Sequence, residues 1–459
     1  MSRRRTFVVR RASPAARRAV IQEPIAPGRQ RTVNEASYRK SVLGSGITLL
    51  TERLEDRDSV AVGVWLRSGA RDEPGDRLGI THFIEHMMFK GTERRDARAI
   101  AGSLESIGGH LDAFTAREQV CYYARALAEH LPAVMDVLAD IVCRSRMTPT
   151  DVSREQSVVR EEILAYEDNP EEKVGDLLSE QVWGDHPLGR PILGTNETVS
   201  ALTSELLRDY FRRRYRPEHL VIAAVGDLDH AALSDLVETH FMPPDGEPLE
   251  LGAGPPAFQP TVRHVERRDL QQLYVSLATR AVPDIHPDRY PLVVLTTLLG
   301  GGMSSRLFQS VREEAGLAYS VFAAQDFYRD SGMLSIHMGV SPERGREALA
   351  RTRKELETLR DQGADAEEVE AAKQQIRGGV LMEHEGVSAR MVHLAHEEIY
   401  RGTYTAPEEL VSRVMAVTVD QVADVARRYL EPSRFALTVL GPAPDGTPLS
   451  TRDWPVETS

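Results

Sequence analysis

Branched apolar residues set against polar turns mark where ordered structure begins. Ser45–Thr51 and Ser59–Leu66 read as β-strands separated by a charged turn. The stretch after them changes period: around Gly79–Thr92, Phe83, Ile84 and Met87 fall where one face of a helix packs, with polar residues between them. A helical segment near Arg95–Ile107 ends at Gly108-Gly109, and His110–Ala116 with Val120–Ala126 then reads as a two-stranded hairpin. Leu131–Cys143 has helical periodicity, and Pro149 opens a long helix through Tyr166 that stops before Pro170. The first unit therefore mixes sheet and helix.

The pattern also repeats. Val199, Ala201 and Thr203, an amphipathic helix, Tyr215, Pro217 and the strand Leu220–Gly226 recur about 215 residues later. The second copy is Val414, Ala416 and Thr418, a helix, Tyr429, Pro432 and the strand Phe435–Gly441. Matching residues at nearly matching spacing predict a duplicated domain. Between the copies, the Pro- and Gly-rich run from Pro243 to Pro256 reads as a linker. The second unit is expected to hold a strand at Gln272–Ala278, a helix at Tyr290–Leu299 and charged helices at Arg344–Gln362 and Ala366–Leu381. The expected organisation is a basic tail (1–37), a first domain (38–242), a linker (243–258), a second domain (259–445) and a C-terminal tail (446–459). The fold class is α+β, with two duplicated sandwich domains, each a sheet flanked by helices.

Composition narrows the class. With 459 residues, 41% hydrophobic and 27% charged, the chain is a globular protein too long for one core, and no apolar run approaches a membrane span. Residues 1–18 hold seven arginines and no acid, so removing those seven charges from the net −13 leaves −20 on the rest. An acidic body argues against nucleic acid as a partner and suits basic peptides. The two cysteines, Cys121 and Cys143, lie in apolar surroundings, which suggests buried thiols and a reducing cytoplasm. Charged Arg10, Arg11, Arg17 and Arg18 occupy the place of the apolar region of an export signal, while an Arg-rich, acid-poor start leaves organelle targeting as the alternative.

The chemistry concentrates on the helix near residue 80. His82, Glu85 and His86 project together from one face, so two imidazoles and a carboxylate meet at one spot. Two histidines one turn apart can hold a divalent metal, and the carboxylate beside them can take a proton from a water molecule there. The order His-x-x-Glu-His inverts the commoner His-Glu-x-x-His and is a signature of zinc peptidases. A catalytic zinc needs a third protein ligand. The segment Arg154–Tyr166 offers Glu155, Glu161 and Glu162; Glu155 and Glu162, seven apart, share a helix face, and Glu161 is rotated away by about 100°.

His82-x-x-Glu85-His86, followed 76 residues later by Glu162 in Val-Val-Arg-Glu-Glu-Ile, resembles the pitrilysin, insulysin and mitochondrial processing peptidase family of zinc endopeptidases. The likeness runs over roughly residues 38–445 and includes Asp185–Gly194, Tyr215–Glu218 and Gly300–Phe308. It implies one Zn2+ per chain on His82, His86 and Glu162, with Glu85 as the base and Glu155 as a supporting acid. It also implies that Arg312 and Tyr319, in Arg-Glu-Glu-Ala-Gly-Leu-Ala-Tyr, reach across a cleft from the second unit, Tyr319 donating to the developing oxyanion and Arg312 positioning the peptide. Where many relatives have Asn-Ala-x-Thr on the strand bordering the cleft, this chain has Asp112-Ala113-Phe114-Thr115; an aspartate accepts but does not donate. The backbone of that strand can still pair with substrate as an added strand.

The reading is a metalloendopeptidase whose two domains close like a clamshell around an unfolded peptide, as a homodimer or a heterodimer with a related subunit. The competing reading is a non-catalytic peptide-binding partner subunit, which predicts erosion of the ligand set. The first unit alone, residues 38–242, is expected to bind zinc yet to be almost inactive.

Overall fold

The computed structural model describes residues 37–244, 247 and 253–457. The expected basic tail lies outside the described residues except for its last position, and so do seven positions of the expected linker.

In the first half, β1 (Tyr38–Val42), β2 (Thr48–Arg53) and β3 (Ser59–Leu66) precede α1 (Ile80–Met88) and α2 (Ala97–Glu105). The hairpin β4 (His110–Thr115) and β5 (Val120–Leu127) leads into α3 (Leu131–Arg144), α4 (Pro149–Glu167) and α5 (Pro170–Trp183). Then come α6 (Asn196–Ala201), α7 (Ser204–Arg214), β6 (Leu220–Gly226) and α8 (His230–His240). The second half runs β7 (Val262–Glu266), β8 (Leu273–Ala281), α9 (Arg289–Gly300), a π-helical turn (Phe308–Glu314), β9 (Ala318–Phe327) and β10 (Gly332–Val340). It continues with α10 (Gly345–Gln362), α11 (Ala366–Glu383), α12 (Val387–Arg401), α13 (Pro407–Met415), α14 (Val419–Tyr429) and β11 (Ala436–Gly441).

The repeat seen in the sequence is a repeat of topology. The first sheet is ordered β1-β2-β6-β3-β5-β4 and the second β7-β11-β8-β10-β9, so removal of β1 leaves the same order. Each sheet has one parallel pair, β2 with β6 and β7 with β11, and is otherwise antiparallel. The repeated threonine has a local cause: Thr203 and Thr418 are N-caps, accepting from the N–H of Leu206 and Gln421. The repeated glycine has another. Gly226 and Gly441 take φ of 141° and 145°, and a Cβ on either would lie 2.5 Å from the carbonyl oxygen of Ser59 or Gln272.

Each half buries one face of its sheet under its own helices, α1 and α3 over the first and α9, α10 and α14 over the second. The opposite faces are covered by exchange. On the first sheet, Leu50, Ala61, Trp65, Cys121, Val221, Ala223 and Val225 are covered by Val387, Met391, Leu394 and Ala395 of α12, from the second half. On the second sheet, Ala278, Met333, Ala436 and Leu440 are covered by Val174, Leu177, Leu178, Val182 and Trp183 of α5, from the first half. A fully buried Arg71 joins the halves again, donating to Glu118 at 2.6 Å, to Asp330 at 2.5 Å and to the carbonyls of Ala253 and Gly254.

The described part of the expected C-terminal tail, residues 446–457, packs on the second half. Leu449 and Trp454 are buried in the second core, and Trp454 Nε1 donates to the Phe435 carbonyl at 3.1 Å. Apolar side chains this size leave water whenever a groove fits them. Cys121 and Cys143 are buried, free thiols, and burial pushes Cys143 up to about 12.

Candidate active site

The helix that carries the motif is fixed at its start. Gly79 has φ +83° and no room for a side chain, since a Cβ would lie 2.5 Å from the Leu193 carbonyl oxygen. The buried Glu73 carboxylate accepts the N–H groups of Gly79 and Thr81 at 2.8 Å each, satisfying donors that the first turn of α1 leaves open. Burial outweighs those two hydrogen bonds and pushes the Glu73 pKa up to about 7. A carboxyl group raised in this way binds more protons folded than unfolded between about 4.5 and 7, so its contribution to stability falls as pH rises through that window. Glu73→Gln, uncharged throughout, is expected to gain stability relative to the parent protein between pH 4.5 and pH 7. Urea unfolding of the two proteins across that range checks the sign.

One turn apart on α1, His82 and His86 set their rings 4.6 Å apart at 65°. Both face α4, which carries Glu162; its carboxylate lies 3.6 Å from His82 Nε2 and 3.4 Å from His86 Nε2. One nitrogen from each histidine and one Glu162 oxygen lie within 4.8 Å of one another, and among the described residues this is the cluster that could hold a metal ion. Two imidazole nitrogens and a carboxylate oxygen suit a tetrahedral zinc site with one position open. Glu161, next to Glu162, is exposed and lies outside that cluster.

The two histidines differ in their surroundings. Burial beside the His86 imidazole pushes the His82 pKa down to about 4, and His82 Nδ1 is buried with no hydrogen-bond partner among the described residues. For His86 burial acts in the same direction, but hydrogen bonds to Glu155 and Glu162 outweigh it and lift the pKa to about 9. Glu155 is buried on α4; one oxygen lies 2.9 Å from His86 Nδ1 and the other 2.7 Å from Lys90 Nζ. Hydrogen bonds from those two neighbours hold its pKa low against the effect of burial.

Glu85 points from the same helix toward β4, where the Thr115 hydroxyl donates to its Oε2. Burial raises the Glu85 pKa, with the Thr115 hydrogen bond pulling the other way. Strand alternation accounts for Thr115: Ala113 packs toward α1 and α3, Phe114 toward the opposite face, and Thr115 returns to the α1 side. Asp112 of the same quartet points away, accepting from Tyr123 Oη at 3.2 Å and from the Ala113 N–H. Thr115 and Lys90 stand in the same motifs as Asp112 and the two histidines, but nothing in their spacing shows that they face the site.

Arg312 and Tyr319 form a pair of their own. The Arg312 guanidinium lies over the rings of Phe308 and Tyr319, at 4.5 and 5.8 Å, and Tyr319 is 80% exposed at the start of β9. Among the described residues, neither hydrogen-bonds to His82, Glu85, His86 or Glu162.

The family model "Insulinase (Peptidase family M16)" matches residues 48–196, and "Peptidase M16 inactive domain" matches residues 201–376. An uncharacterized zinc protease of Mycobacterium tuberculosis is 40% identical over 412 residues, covering 88% of this chain and 93% of the relative. The uncharacterized zinc protease YmxG of Bacillus subtilis is 37% identical over 399 residues, 87% and 97% of the two chains. Among solved structures, a protease from Helicobacter pylori superposes with a TM-score of 0.84 at 20% identity, covering 88% of this chain and 99% of that one. A peptidase M16 inactive domain from Pseudomonas fluorescens gives 0.82 at 19%, covering 88% and 98%.

Proposed function

Because this chain belongs to the insulinase family of peptidases, M16, we propose that it is a zinc-dependent endopeptidase acting on unfolded peptides or short protein segments. The observation that carries this reading is the meeting of His82, His86 and Glu162 at one point, with the Glu85 carboxylate on the same helix. His82, His86 and Glu162 are the proposed ligands. When bound, zinc supplies Lewis acidity toward a peptide carbonyl and makes a water molecule more acidic.

The chain's own residues do the rest. Glu85 takes the proton of the attacking water and returns it to the leaving amine, while the Thr115 hydroxyl occupies Oε2 and leaves the other oxygen for that proton. The edge strand β4 borders this carboxylate and offers backbone N–H and C=O groups for a substrate strand. In the second half, Tyr319 is the proposed oxyanion donor and Arg312 the proposed positioning charge; the exposure of Tyr319 suits a group that engages only when a peptide is bound.

The match to an inactive domain begins at residue 201, in the last part of the first half, and runs to residue 376 in the half that lacks the motif, whose α9 carries Leu292, Leu295 and Leu299 in its buried face. The first half keeps every proposed ligand and the base, which favours catalysis over a partner subunit that only binds peptide. Among the described residues no helix is long and apolar enough to cross a membrane.

Zinc content and cleavage of a panel of unstructured peptides, with and without chelator, test the function. The ligand assignment has its own test. Glu162→Gln is expected to weaken zinc binding most, Glu155→Gln by about 10- to 100-fold through the loss of support for His86, and Glu161→Gln hardly at all. A titration that ranks Glu161 above Glu162 overturns the assignment.

A further inference from the structure

We propose that Lys90 is a positioning residue of the metal centre, which acts through Glu155 to fix the nitrogen that His86 presents to the ion. The inference rests on the reading of His82, His86 and Glu162 as metal ligands and goes beyond it by one residue. Lys90 Nζ lies 2.7 Å from Glu155 Oε2, and Glu155 Oε1 lies 2.9 Å from His86 Nδ1. A neutral imidazole carries one N–H; donated from Nδ1 to a carboxylate, it leaves the lone pair on Nε2. That Nε2 faces Glu162, 3.4 Å from Oε2.

Glu155 alone does not secure this arrangement. Its side chain is 4% exposed, so little solvent reaches it to hold the second oxygen. A carboxylate tethered at one oxygen can swing about its last torsion, and its aim at His86 loosens. The Lys90 ammonium takes the second oxygen and leaves one orientation. It reaches α4 from just beyond the end of α1, where the Lys90 N–H donates to the Met87 carbonyl at 3.2 Å. The chain of contacts thus ties the two helices that carry the ligands. His82 supplies the contrast: its Nδ1 is buried and, among the described residues, has no hydrogen-bond partner. The protein therefore orients one histidine of the pair and leaves the other to the ion.

A simple salt bridge between α1 and α4 would stabilise the fold and leave metal affinity alone. The two roles separate in a zinc titration of the full chain against a chromophoric chelator, run beside urea unfolding of the metal-free protein. Lys90→Met is expected to weaken zinc binding about 10- to 100-fold, the range for loss of a group that supports a ligand. Lys90→Arg, which keeps a charged donor, is expected to restore most of it. Glu155→Gln should weaken binding too, and Lys90→Met added to Glu155→Gln should cost no further affinity, because both act through the same carboxylate. If Lys90→Met does not fold, Lys90→Leu, which also lacks a donor, carries the same comparison. Zinc affinity unchanged within twofold in the variant that lacks a donor at position 90 overturns the inference, as do effects of Lys90→Met and Glu155→Gln that simply add. A parent protein that binds no zinc overturns the reading of the site itself and the inference with it, whereas normal zinc affinity without peptide cleavage counts against the peptidase reading alone.

Discussion

Replacing Glu85 with Gln is expected to reduce peptide hydrolysis by at least about a thousandfold while zinc stays bound at about one per chain. Gln keeps the size of the side chain and can still accept the Thr115 hydroxyl through its amide oxygen, so the position survives and the proton acceptor does not. The histidines and Glu162 are untouched. The effect therefore falls on the chemical step, lowering kcat with little change in KM. Burial raises the Glu85 pKa, which makes it a better base than an exposed carboxylate once ionised. Single-turnover rates on an unstructured peptide, with metal analysis of the same sample, check both halves of the expectation. Equal turnover by the variant removes Glu85 from the mechanism.

The second large effect concerns the halves themselves. Residues 37–244 expressed alone are expected not to fold, contrary to the expectation that the first unit would bind zinc by itself. Without α12, seven buried side chains of the first sheet lose their cover, Trp65 among them. At about 25 cal/mol per Å2 of apolar surface, that exposure costs on the order of 10 kcal/mol, as much as the whole stability of a typical domain. Ion pairs are lost as well: Glu52 loses Arg390, and Arg67 loses Glu398 at 2.8 Å. In the other direction α5 becomes an exposed apolar helix, with Trp183 and Leu178 uncovered. The isolated half should show poor dispersion of amide resonances and bind 8-anilinonaphthalenesulfonate. A cooperative unfolding transition in the isolated half would show that the exchanged helices are dispensable. Co-expression of the two halves, which restores both covers, is the matching positive experiment.

Periodicity alone determined much of this protein. Because i, i+3 and i+4 share a helix face, His82, Glu85 and His86 had to meet once α1 formed, and Glu155 and Glu162, seven apart, had to face the same way on α4. The Thr, Pro and Gly of the repeat mark cap, turn and left-handed positions, so the duplication was legible from local geometry. Tertiary structure decided the rest. The apolar stripes of α5 and α12 state that each helix is buried but not which sheet it covers, since hydrophobic burial has no address. A division of the chain at the linker is therefore legible in the sequence, and the exchange of α12 for α5 between the halves is not. Thr115 reaches Glu85 across 30 residues, and Lys90 reaches Glu155 across 65. Neither spacing has a period, so only the packing of β4 and α4 against α1 shows which side chain orients the base and which holds the carboxylate behind His86.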